Sequence, residues 1–146
     1  MLEDDPDRLH RFAVAVRSID PDLPLMTWRS AHRMIAEVAP LLPRARLISL
    51  DHDLDPWDGD PDDPGDGVAV AKFLATHRQP CPVVIHTSNG PRSDWMAGDF
   101  ELAGWSCRRV APIGERWIED YWRVVVREML RAAGRRAWTD PAGGRP

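Results

Sequence analysis

The sequence predicts an α/β fold, a parallel sheet between two layers of helices, on three observations. Segments of helical period alternate strictly with short apolar runs along the chain. The runs Leu47-Ile48-Ser49-Leu50 and Pro82-Val83-Val84-Ile85 carry no charge, as suits strands buried on both faces. With 146 residues and 43% hydrophobic content, the chain can form one packed domain and is too apolar to stay disordered.

In chain order, Asp5-Pro6 reads as an N-cap followed by proline at the first helical position. Leu9, Phe12, Ala13, Val16 and Ile19 then share one helical face. Leu23 to Trp28 is a strand candidate. Ser30 caps a second helix with Ala31, Met34, Ile35 and Val38 inward, closed by Pro40 and Pro43. The strand ending in Leu50 follows. Residues 55–67 form an acidic loop rich in Pro and Gly, read as a solvated connection, a lid or a second cation site.

A third helix buries Val70, Phe73 and Leu74, and the strand ending in His86 comes next. A fourth helix is expected from Ser93 to Ala103, then a strand from Trp105 to Val110. The final helix, Trp117 to Leu130, turns Ile118, Tyr121, Trp122, Val125 and Met129 inward. The domain is placed at residues 1–130, with 131–146 as a flexible tail. This order implies a flavodoxin-like three-layer sandwich with a five-stranded parallel sheet of order 2-1-3-4-5. Its central first strand is truncated to Met1-Leu2-Glu3, so either the true start lies upstream or the fold tolerates a stub.

Charge and composition exclude several roles. Acidic residues number 23 against 19 basic ones, for a net charge of −4, so non-specific nucleic-acid binding is not expected. No apolar run is long enough to span a membrane. The acidic N-terminal segment lacks the apolar stretch of a signal peptide. Cys81 and Cys107 cannot form a disulfide framework and lack zinc-site spacing, which implies a cytoplasmic setting. The oligomeric state is left open.

In open parallel sheets, ligands bind beyond the carboxyl ends of the strands. That rim receives Glu3, Asp4 and Asp5 from the first strand, and Asp51, His52 and Asp53 from the third. The fourth supplies His86, Thr87, Ser88 and Asn89. Crowded carboxylates need a cation or must take up protons. Asp4, Asp5 and Asp51 are therefore candidate ligands for Mg²⁺ or Mn²⁺, which would also bind a phosphate oxygen. Asp5 has a competing role as a helix cap.

His52 and His86 could serve as an acid–base pair in phosphodiester cleavage, although a single histidine at a strand end is more often structural. Thr87, Ser88 and Asn89 offer groups that can orient a phosphate, or they simply satisfy a turn. Asp53, beside His52, is grouped with them on the substrate side. Trp95, Met96 and Trp105 could stack on a base but more commonly fill a core.

Four segments carry a resemblance: Leu2-Glu3-Asp4-Asp5-Pro6-x-Arg8-Leu9, LISLDHDL over 47–54, Gly65-Asp66-Gly67, and VIHTSN over 84–89 with Trp95-Met96 beyond. The chain resembles the cyclic-phosphate processing receiver-like domain family, related to response-regulator receivers, over about residues 2–130. The resemblance implies the same flavodoxin-like, receiver-like fold and the processing of cyclic phosphates or nucleotides. It carries the family's acidic pair onto Asp4 and Asp5, its D-H-D onto Asp51, His52 and Asp53, and its second histidine onto His86, followed by Asn89. Asp51 falls where a receiver accepts phosphate. The lysine that a receiver carries after its last strand is absent, since the chain reads Arg108-Arg109-Val110-Ala111-Pro112.

The expected activity is metal-dependent phosphodiester cleavage of a cyclic phosphate, with a small phosphate-containing ligand as partner. The alternatives are an atypical receiver-like signalling or adaptor module without catalysis, and a helper protein with a vestigial site.

Overall fold

A computed structural model describes residues 1–56 and 63–139, with side chains through Ala133. Part of the acidic loop, residues 57–62, and the end of the expected tail, residues 140–146, lie outside the described residues. Three strands, β1 (Ile48–Leu50), β2 (Val83–Ile85) and β3 (Cys107–Arg109), form a parallel sheet in that order. Ile48 pairs with Val83 and Val83 with Cys107.

The expectation of five strands is corrected to three among the described residues. The two N-terminal candidates reduce to single parallel bridges, from Leu2 to Leu50 and from Leu2 to Trp28. Four hydrogen bonds make them: Leu2 N–H to the Ser49 carbonyl (2.9 Å), Asp51 N–H to Leu2 (3.1 Å), Glu3 N–H to Trp28 (3.0 Å) and Trp28 N–H to Met1 (2.9 Å). Nothing extends them. The chain enters the Asp5 cap directly after Asp4, and Pro24 has no N–H to donate to a ladder.

Among the described residues five α-helices surround the sheet: α1 (Pro6–Ile19), α2 (Ala31–Glu37), α3 (Gly67–Ala75), α4 (Gly90–Leu102) and α5 (Arg123–Thr139). Alternation along the strands divides the core in two. Ile48, Leu50, Val83 and Ile85 pack with α2, α3 and α4, including Met34, Leu74, Met96 and Phe100. Val84 faces the other way, onto Phe12 of α1 and onto Trp117, Ile118, Trp122 and Val126 before and in α5. Met96 and Trp105 are core residues. Trp95 is 57% exposed and lies under the Arg92 guanidinium, 4.2 Å from its ring centre.

Local chemistry sets the helix starts. Asp5 accepts from the N–H groups of Asp7 (2.8 Å) and Arg8 (2.9 Å). Ser30 caps α2 and Asp66 caps α3. Helix α4 begins at Gly90, ahead of the expected Ser93, because Asn89 supplies the cap by accepting from Arg92 N–H.

The last helical stretch is not regular from Trp117. A π-helical turn occupies Ile118–Trp122 before α5 begins, and α5 runs on through the boundary placed at residue 130 to Thr139. The extra residue in the wide turn breaks the 3.6 period. Tyr121, expected inward, is consequently 59% exposed, while Trp122 is buried.

Candidate functional site

Three strand ends meet at one place. Glu3 follows the Leu2 bridge, Asp51 follows β1 and His86 follows β2. One ligand atom from each lies within 4.8 Å of the other two, and all three residues are buried. Glu3 Oε2 is 3.3 Å from His86 Nε2. Neither atom has a well-aligned hydrogen bond.

Arg8, on the first turn of α1, reaches back into this group. Its guanidinium lies 3.1 Å from Glu3 Oε1 and 3.2 Å from Asp51 Oδ2. It is also 3.8 Å from Asp4 and 3.5 Å from Asp5. The spacing of Asp4, Asp5 and Arg8 suits contact across one helical turn.

Burial dominates the protonation of this centre. It raises Glu3 to about 7, against a backbone N–H from Asp5 and the Arg8 charge that favour the carboxylate. It raises Asp51 to about 6, opposed by His86, by the His52 N–H and by Arg8. It lowers His86 to about 4, opposed by Asp51, so the imidazole is neutral at pH 7.

His86 is held from behind as well. Its ring meets Phe12 edge-on at 5.1 Å and stacks with Trp117 at 6.0 Å. Its Nδ1 is 2.9 Å from Ser49 Oγ, which accepts a hydrogen bond from Trp122 Nε1–H at 3.0 Å. An indole N–H can only donate, so the serine proton is available to His86 Nδ1. The ring proton of neutral His86 then belongs on Nε2, facing the carboxylates.

The rest of the rim forms a second, more exposed group. His52 is buried, and its Nε2 is 3.5 Å from Asp53 Oδ1. Its Nδ1 has no partner among the described residues. Asn89 Nδ2 donates to the same Asp53 oxygen at 3.3 Å, and Thr87 Oγ1 accepts from Asn89 N–H at 3.1 Å. Ser88 is exposed. Gly67 seals the junction between the two groups. A Cβ there would stand 2.1 Å from the Asp51 carbonyl oxygen and 2.8 Å from His52 Cα.

Among the residues singled out from the sequence, Asp51 and His86 share the buried group, whereas His52, Asp53 and Asn89 meet at the rim. Asp4 and Asp5 stand outside the group close enough to share one ion. Asp4 Oδ2 accepts from Asp55 N–H at 2.9 Å, and Asp5 Oδ1 caps α1. Sequence reasoning did not select Glu3, Arg8, Ser49 or Trp122. A visible signal existed for Ser49, a hydroxyl inside an apolar strand, and for Arg8, one turn beyond two aspartates.

The donor set fits a divalent cation. Two buried carboxylates converge at this centre, and Glu3 Oε2 lacks a hydrogen-bond partner among the described residues. The family profile described as "cyclic-phosphate processing receiver domain" matches residues 3–101. The chain belongs to that family. No curated protein and no solved structure matches it.

Proposed function

We propose that this domain hydrolyses a cyclic phosphate, a cyclic nucleotide or a 2′,3′-cyclic phosphate, to the phosphomonoester. The observation that carries the reading is the buried Glu3–Asp51–His86 centre at the carboxyl ends of the strands, beside His52, whose Nδ1 has no partner among the described residues. One water oxygen bonds to phosphorus and one ring P–O bond breaks. His52 takes the proton from water, and Asp53 stabilises the imidazolium that forms. The Glu3 carboxyl, which burial raises to about 7 and which His86 Nε2 faces at 3.3 Å, gives its proton to the leaving oxygen.

Arg8 is one quarter exposed and faces both the carboxylates and solvent, which suits it to a phosphate oxygen. Thr87, Ser88 and Asn89 orient the substrate at the rim. Asp51 would hold Mg²⁺ or Mn²⁺, with Asp4 and Asp5 nearby, and the ion would supply positive charge to the phosphoryl oxygens. The reading includes a cytoplasmic setting and a small phosphate-containing ligand as partner. The bridges at Leu2 support a sheet order of 2-1-3-4-5 for the whole fold.

The non-catalytic receiver reading asks Asp51 to accept a phosphoryl group. Its Oδ1 accepts from His52 N–H at 2.6 Å and its Oδ2 faces Arg8, and the lysine that a receiver carries after its last strand is absent, which favours the hydrolytic reading. The test is turnover of a panel of 2′,3′- and 3′,5′-cyclic phosphates with Mg²⁺ or Mn²⁺. Cleavage by the natural chain and a loss of about 10²-fold or more in both His52→Ala and His86→Ala supports the proposal. Full turnover in both variants, or no turnover of any substrate by the natural chain, refutes it. A labile adduct on Asp51 after acetyl phosphate treatment would favour the receiver reading instead.

A further inference from the structure

A cavity lies away from the carboxylate rim, where β1 begins. It is open to solvent on one side and measures about 470 Å³, within the range of small-molecule sites. Its walls are apolar, with Val16 from α1, Leu25, Met34 and Val38 around α2, and Val126 from α5. Ser49 and Trp122, the pair that holds His86 from behind, also line it.

The charge at this cavity is opposite to that of the whole chain. The protein carries a net charge of −4, yet the lining among the described residues includes Arg44 and Arg46 and no carboxylate. Both arginines are exposed, as are Pro24 and Met26, and these four residues mark the mouth. Arg46 is committed to Asp20 at 3.0 Å. Arg44 has no hydrogen-bond or ion-pair partner among the described residues. An exposed cation at the edge of an apolar hollow complements a molecule with an apolar body and one anionic end.

We propose that this cavity binds a medium-chain aliphatic carboxylate, its chain against the apolar walls and its head on Arg44. The proposal is independent of the chemistry at the strand ends.

Calorimetric titration of the full chain with decanoate, decanol and decylamine, each below its micellar concentration, tests it. The expected result is saturable decanoate binding, with decanol about tenfold weaker and decylamine weaker still. Arg44→Glu, a change at an exposed position, should weaken decanoate about tenfold and leave decanol unchanged. Val126→Trp should fill the hollow and abolish binding; if that variant does not fold, the Arg44 comparison decides. Absence of saturable decanoate binding, equal affinity for the three probes, or indifference to Arg44→Glu would overturn the proposal.

Discussion

The buried centre and the rim of the site differ in what fixes them. Glu3, Asp51 and His86 come from three chain segments and are fixed from behind by Phe12, Trp117 and the Trp122–Ser49 pair. The rim residues His52, Asp53, Thr87 and Asn89 are tied mainly to their own loop ends, and Asp53 is largely exposed. Burial accordingly shifts the proton affinities of the centre by about two units or more from their ordinary values. The lesson is a division of labour. Tertiary packing prepares a desolvated charge cluster, and short local hydrogen bonds place groups where a substrate can reach them.

That contrast breaks most severely if the packing behind His86 is removed. Phe12 makes edge contacts with His86, Trp117 and Trp122. Phe12→Ala should cost about 3–5 kcal/mol in urea unfolding and disturb the centre before the rim. Gly67→Ala comes next. Its new Cβ meets backbone on both sides of the Asp51–His52 junction, so the junction must shift, at a cost of about 1–3 kcal/mol. Arg8→Gln leaves buried carboxylates without their counter-charge. Because Arg8 is partly exposed, the loss should be about 1–2 kcal/mol at pH 8, shrinking towards pH 5 as Glu3 and Asp51 take up protons. The smallest effect belongs to the rim, where Asn89→Ala removes only a cap and should cost about 1 kcal/mol.

The pH dependence sharpens the same contrast. Glu3 and Asp51 bind protons more tightly in the fold than in the unfolded chain, so their contribution is complete at low pH and is lost as pH rises through about 7 and 6. His86 binds its proton less tightly in the fold. Its contribution is complete above its ordinary 6.5 and is lost as pH falls through about 4. Between pH 4.5 and 6, two groups favour a decline with rising pH and one opposes it. Stability measured in EDTA should therefore fall by about 1.4 kcal/mol per pH unit from this cluster. His86→Gln removes the opposing contribution, and the slope should steepen.

Most of the framework was legible in the sequence because it rests on local signals. The strand runs around Ile48 and Val84 carry their own evidence, as do the caps at Asp5 and Ser30 and the placement of Asp51 and His86 at strand ends. What escaped depends on tertiary contact. Glu3 was legible at the rim beside Asp4 and Asp5 but not as the buried member of the centre, because only the Leu2 bridges carry it inside. The π-helical turn at Ile118–Trp122 leaves no periodic signature, so the outward turn of Tyr121 and the hydrogen bond from Trp122 to Ser49 were both invisible. Arg8 was legible as part of a motif but not as the cation that joins Glu3 to Asp51.

The imidazole of His86 offers the most direct measurement, because its environment exists only if the three chain segments meet as described. Nitrogen-15 chemical shifts of His86, followed by NMR from pH 8 to pH 4, should report a neutral ring protonated on Nε2, titrating near 4. Titration near 6.5, or a ring carrying its proton on Nδ1, would contradict the buried centre on which the account rests.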